Sequence, residues 1–157
     1  MQKDSKQGDK QIERIISLYE HRLSSSIQID VSDTPDIVPA IALRAAAADI
    51  DTDIINAGRL RYKESDRLAS ISKILTQLGA DVMEGSDNLR IKGSCGRLLK
   101  GSDEVISVES DHRMVMLAAF ASIICEKPVI IDEPEAVRKS YPTFFDDIVM
   151  LGGRVEE

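Results

Sequence analysis

Arg59, Arg61, Lys63 and Arg67 crowd one short stretch of a chain whose formal charge is -7. The stretch leads into an apolar-periodic segment, so these cations sit at or just before a helix start. A helix N-terminus already presents free N–H groups and the positive end of the dipole, which makes Asp or Glu the usual residue there and Arg mildly unfavourable. Arg67 therefore asks for an anion: either a bound phosphate or carboxylate, or a neighbouring Glu64 or Asp66 on a solvated surface. The same arrangement recurs at Asp111-His112-Arg113, where Asp111 is a plausible cap and Arg113 lies in the first turn of a second apolar segment. Lys139 precedes a third helix start, near Pro142.

The acid and base candidates leave more than one reading open. Asp36 follows Pro35 in a first helical turn, where a carboxylate favours the dipole whether or not it does chemistry. Glu64 can serve as a surface partner of Lys63 or Arg67, or as an acid/base group inside a cationic pocket. His112 can donate a proton, bind an anion or act as a structural hydrogen-bonder. Together these residues specify anion binding on an α/β scaffold; residue physics alone takes the function no further.

The elements that must position them follow from periodicity. Leu68, Ile71, Ile74, Leu75 and Leu78 predict a helix capped at Ser65 or Asp66 and stopped by Gly79. Phe145, Ile148 and Val149 predict another from about Pro142, ended by Gly152 and Gly153. Ala-rich helices are expected at 37–48 and 114–125, and Ile12, Ile15, Ile16 and Tyr19 mark one more over 11–20. Strand-like runs fall at 53–56, 88–92, 104–108 and 128–131, with a further strand after each Leu-Gly stop. Asp33 and Asp111, Lys63 and Lys139, and Gly79 and Gly152 pair at nearly constant separation, which reads as an internal repeat. The segment at 11–20 then resembles the second helix of an earlier unit, so the chain is expected to begin inside an element of a larger fold.

Composition bounds the alternatives. With 157 residues, 43% of them hydrophobic, the chain can build a single core. A 4% aromatic content without Trp leaves that core to Ile, Leu, Val, Ala and Met. A pI near 4.9 argues against nucleic acid or an anionic membrane as partner. Cys95, Cys125, His21 and His112 show no metal-ligand spacing, and two thiols make no disulfide framework. No run approaches the roughly 20 apolar residues of a membrane span, and 1–10 is polar, so a cytoplasmic protein is expected.

Lys63-Glu64-Ser65-Asp66-Arg67-Leu68, Asp111-His112-Arg113-Met114 and Pro35-Asp36 occur in an order and spacing that resemble the 5-enolpyruvylshikimate-3-phosphate synthase family. Gln7-Gly8-Asp9 also fits, and the similarity runs from about Ser5 to Val155. The resemblance implies an α/β fold of repeated βαβαββ units, here one incomplete unit (about 1–30) and two fuller ones (about 31–108 and 109–157) making most of one domain at the C-terminal end. It implies transfer of the enolpyruvyl group of phosphoenolpyruvate to the 5-hydroxyl of shikimate 3-phosphate, with release of phosphate and without metal or organic cofactor.

By motif, Asp36 matches the acid that contacts the shikimate hydroxyls and acts as base, Lys63 a shikimate 3-phosphate ligand, and Glu64 the carboxylate that carries protons at the methylene carbon. Arg67 and Arg113 match the phosphoenolpyruvate clamp, Lys139 the cation beside the leaving phosphate, and His112 a histidine near it. Arg59 stands where some members carry an Asn ligand. The remaining ligands belong to an N-terminal domain absent from this chain, so the chain alone is expected to be inactive. The rival readings are UDP-N-acetylglucosamine enolpyruvyl transferase, which shares the fold and donor but not this motif set, and a non-catalytic anion-binding module of the same fold.

Overall fold

The computed structural model describes residues 10–20 and 25–156; the Gln7-Gly8-Asp9 stretch and His21 lie outside the described residues. Five α-helices, α1 (Lys10–Glu20), α2 (Val38–Ala46), α3 (Arg67–Gln77), α4 (His112–Ala121) and α5 (Phe144–Met150), accompany four strands, β1 (Ser26–Asp30), β2 (Asp51–Ile55), β3 (Asp81–Glu84) and β4 (Leu89–Lys92). The strands form one mixed sheet in the order β1-β2-β4-β3, with β1 parallel to β2 and the other pairs antiparallel. Alternation buries Ile29, Thr52, Ile54, Leu89 and Ile91, so one face of the sheet closes onto the core. On the other face Arg90 forks onto Asp53, its cross-strand neighbour, at 2.6 and 3.0 Å.

Small side chains let the central helices approach one another. Ala42, Ala45 and Ala46 of α2 and Ala118 and Ala121 of α4 are buried, and α2, α3 and α4 pack together in a core that also takes Ile71, Ile74, Leu75 and Met114. Phe144 secures α5 through edge-on contacts with Phe120, Tyr141 and Phe145 at 5.6, 5.6 and 5.1 Å. The two Leu-Gly stops share one geometry. After α3, Gly79 (φ 97°) donates to the Thr76 carbonyl and Ala80 to that of Leu75; after α5, Gly152 (φ 95°) donates to Val149 and Gly153 to Ile148. Each is a Schellman turn, in which a left-handed glycine lets orphan carbonyls find donors.

The runs at 104–108 and 128–131 do not become strands. They meet at one bridge, Ile106 with Ile131, because Pro128 has no N–H to give and the Val108 amide is taken by the Asp132 carboxylate at 2.8 Å. The expected Ala-rich helices are also shorter: Pro35–Ile37 and Ser122–Ile124 are 3-10 turns at their ends. No helix among the described residues is long and apolar enough to cross a membrane.

Candidate active site

Residues far apart in sequence meet where α2, α3 and α4 begin. Asp66 caps α3, its side chain accepting from the Ala69 amide at 3.1 Å. Asp111 caps α4 by accepting from the Arg113 amide at 2.9 Å. Asp36 lies in the 3-10 turn that opens α2. The two capping carboxylates fix the starts of α3 and α4, and Arg67 and Arg113, in the first turns of those helices, inherit their positions from them.

Arg67 is the hub. Its side chain is 4% exposed, and its Nε donates to Asp111 Oδ2 at 2.7 Å while Nη1 donates to Asp36 Oδ1 at 3.2 Å. Glu64 Oε2 lies 4.0 Å from Nη2. The guanidinium is therefore buried rather than solvated, and its principal partner is Asp111, not Asp66. Ser65 Oγ donates to the same Asp111 oxygen at 3.0 Å.

Asp36 collects the remaining cations. Lys63 Nζ stands 3.3 Å from Oδ1, Arg113 Nη2 stands 3.8 Å from Oδ2, and Arg113 Nη1 donates to the Asp36 carbonyl at 2.8 Å. The Arg113 Nε is buried with no hydrogen-bond partner among the described residues. Partial burial pushes the Asp36 carboxyl up, but the charges of Arg113, Lys63 and Arg67 outweigh it and hold its pKa below the ordinary value. Asp111 behaves likewise: burial opposes ionisation, and the bonds from Arg67, the Arg113 amide and Ser65 more than reverse it. Both carboxylates are ionised at neutral pH. On one side Asp36 and Arg113 border an apolar groove of about 490 Å³ between α2 and α4, lined also by Leu43, Met116 and Phe120.

His112 Nδ1 lies 3.1 Å from Glu64 Oε2, joining α4 to the loop before α3. Glu64, Asp111 and His112 offer ligand atoms within 4.8 Å of one another. That donor set does not suit a cation, because Arg67 already neutralises Asp111 and approaches Glu64.

The structure thus brings together Asp36, Lys63, Glu64, Arg67, His112 and Arg113. Lys139 joins by another route: its exposed Nζ donates to the carbonyl of Ser110 at 3.1 Å, the residue before Asp111. Arg59 is exposed. The sequence reading saw Asp111 only as a cap and missed its role as the counterion of Arg67. A carboxylate that must cap a helix and also answers a buried Arg in another motif carries no local signature.

A family model described as EPSP synthase (3-phosphoshikimate 1-carboxyvinyltransferase) matches residues 1–148. Curated 3-phosphoshikimate 1-carboxyvinyltransferases from Clostridium botulinum and Clostridioides difficile are 41% and 43% identical over 98% and 100% of this chain, which in each case spans 38% of the relative's length. The solved EPSP synthase from Acinetobacter baumannii superposes with a TM-score of 0.71 at 30% identity, covering 76% of this chain and 28% of that one. In sequence along nearly its whole length, and in fold over most of it, this chain belongs to the EPSP synthase (3-phosphoshikimate 1-carboxyvinyltransferase) family.

Proposed function

We propose that this chain forms one wall of an enolpyruvyl transferase cleft, in which phosphoenolpyruvate reacts with the 5-hydroxyl of shikimate 3-phosphate, and that by itself it binds small anions without turnover. The observation that carries this reading is the convergence of Lys63, Arg67 and Arg113 on the single carboxylate of Asp36. Three cations around one exposed carboxylate form a charge cluster that an incoming phosphate or carboxylate can enter by exchanging partners. The planar guanidinium forks of Arg67 and Arg113 suit the oxygens of phosphoenolpyruvate, and Lys63 a phosphate.

Asp36 is the base of the proposed reaction. In the free site its lowered pKa makes it a hydrogen-bond acceptor for a hydroxyl but a poor proton acceptor. Anions that neutralise Lys63 and Arg113 remove that depression and bring Asp36 towards a useful basicity. The hydroxyl oxygen then bonds to the central carbon of phosphoenolpyruvate while a proton is delivered to its methylene, giving a tetrahedral adduct. Loss of that proton and of phosphate restores the double bond. Glu64 is the proposed proton carrier, with His112 beside it, and Lys139 the cation for the departing phosphate.

The proposal assigns the remaining substrate ligands to the longer polypeptide of the relatives, because half a cleft neither excludes water nor orients two reactants. The unit boundaries near residues 30 and 108 and a cytoplasmic setting, fitting for two highly charged metabolites, are part of the same reading.

Calorimetric titration of phosphoenolpyruvate into the chain tests it. Binding is expected at about millimolar Kd, or about 4 kcal/mol, and Arg67→Ala and Arg113→Ala should each weaken it. Equal heats in parent and variants would overturn the site assignment, and heat that follows ionic strength alone would reduce the site to a diffuse charge patch.

A further inference from the structure

Arg61 belongs to neither the anion cluster nor the core, yet it is the most heavily bonded side chain of its loop. Its Nε donates to the Ser86 carbonyl at 2.8 Å, Nη1 to Asp66 Oδ2 at 2.8 Å, and Nη2 to Glu84 Oε1 at 2.9 Å and the Gly85 carbonyl at 2.7 Å. Ser86, Gly85 and Glu84 belong to the turn between β3 and β4 and to the end of β3. The same turn is tied to the other end of the loop, where the Ala57 amide donates to the Asp87 carbonyl at 2.7 Å. The loop from Ala57 to Asp66 is therefore docked on the hairpin at both ends.

What lies between Arg61 and Asp66 is Tyr62, Lys63, Glu64 and Ser65. The Arg61–Asp66 pair closes this short loop at its base, and Asp66 uses its other oxygen to cap α3 through the Ala69 amide. One carboxylate thus couples the hairpin to the helix start from which Arg67 projects. Resting on the anion-site reading above, we propose that Arg61 is a positioning residue: it touches no ligand and sets the placement of Lys63, Glu64 and Arg67 by clamping their loop to the β3–β4 turn.

The role needs the fork of a guanidinium and not merely a positive charge. A lysine in its place keeps the charge but directs three donors from one nitrogen, and cannot reach two carbonyls and two carboxylates at once. Arg61→Lys therefore separates positioning from electrostatics. Hydrogen exchange is expected to run about tenfold faster at the Arg67 and Ala69 amides, with the β2 and β4 amides unchanged. Phosphoenolpyruvate should bind this variant several-fold more weakly than the parent chain.

Unchanged exchange at Arg67 and Ala69 would overturn the proposal, and so would a loosened loop that binds phosphoenolpyruvate as the parent does. Should the lysine variant fail to fold, Glu84→Ala removes one arm of the clamp and is read by the same two measurements. If the parent chain itself takes up no phosphoenolpyruvate, the anion-site reading falls instead, and the exchange rates alone decide whether Arg61 pins the loop.

Discussion

Arg67 Nε lies 2.7 Å from Asp111 Oδ2, with the two side chains 4% and 0% exposed. Neither could stand in that place alone, since a single buried charge is far costlier than a pair. Asp111→Ala removes the nearest counterion of Arg67, leaving it Asp36 and the more distant Glu64, and is expected to cost about 3 kcal/mol. Asp111→Asn, which retains an acceptor for the Arg113 amide, should cost less. Urea unfolding of the three proteins measures both.

The same carboxylate contributes to the acid limb of stability. Its pKa is lower in the folded chain than in the unfolded one, so the unfolded state binds more protons as pH falls. The contribution is complete above the unfolded value, about 4, and disappears as pH drops through the lower folded value. Stability followed by circular dichroism below pH about 4 should fall less steeply for Asp111→Asn than for the parent. Parallel curves would show that Asp111 is not coupled to folding.

Arg67→Ala and Arg113→Ala should fail in different ways. Arg67 is the counterion of a buried carboxylate, so its loss lowers stability and anion binding together. Arg113 is 35% exposed at the edge of the site, and its loss should reduce phosphoenolpyruvate affinity while changing stability by less than about 1 kcal/mol. Thermal melts run beside calorimetry separate the two effects.

Zinc offered to the chain should find no tight site at Glu64, Asp111 and His112. The positive Arg67 side chain occupies the Asp111 oxygens, and a dication would have to displace it. The expected result is no shift of the His112 ring resonances at micromolar zinc; a specific shift there would mean that Arg67 can leave Asp111.

Gly93 carries a packing prediction. A β-carbon there would meet the Ala48 and Ile50 carbonyl oxygens at 2.5 and 2.7 Å. Gly93→Ala must push the end of β4 away from the segment between α2 and β2, and should lose about 1–3 kcal/mol in urea unfolding.

What could be read from the chain was whatever local physics decides. The Leu68 to Leu78 stripe, the acidic cap before it and the Gly79 stop produced α3 almost as expected, and the leading helix formed too, although of its four-residue stripe Ile15 and Tyr19 are buried and Ile12 and Ile16 exposed. Between Ser65 and Asp66 the cap fell to Asp66, whose side chain reaches the Ala69 amide. β1 went unread because its run, Ser26–Asp30, alternates only two apolar residues and opens on the last of three serines. The expected strand at 104–108 failed because a distant Asp132 claims the Val108 amide. In the site, Arg67 asked for an anion, and the one it meets in the structure is the buried carboxylate of Asp111, in a different motif.

The bonds that build the site span long stretches of chain: Arg67 to Asp36, Arg67 to Asp111 and Arg113 to Asp36 bridge 31, 44 and 77 residues. Closing such loops costs chain entropy that only neighbouring packed helices repay. The polar cluster therefore depends on those helices already being packed. A partly folded chain can keep its sheet and several helices and still lack the cluster, so the anion uptake proposed for it would report complete folding more exactingly than helical content does.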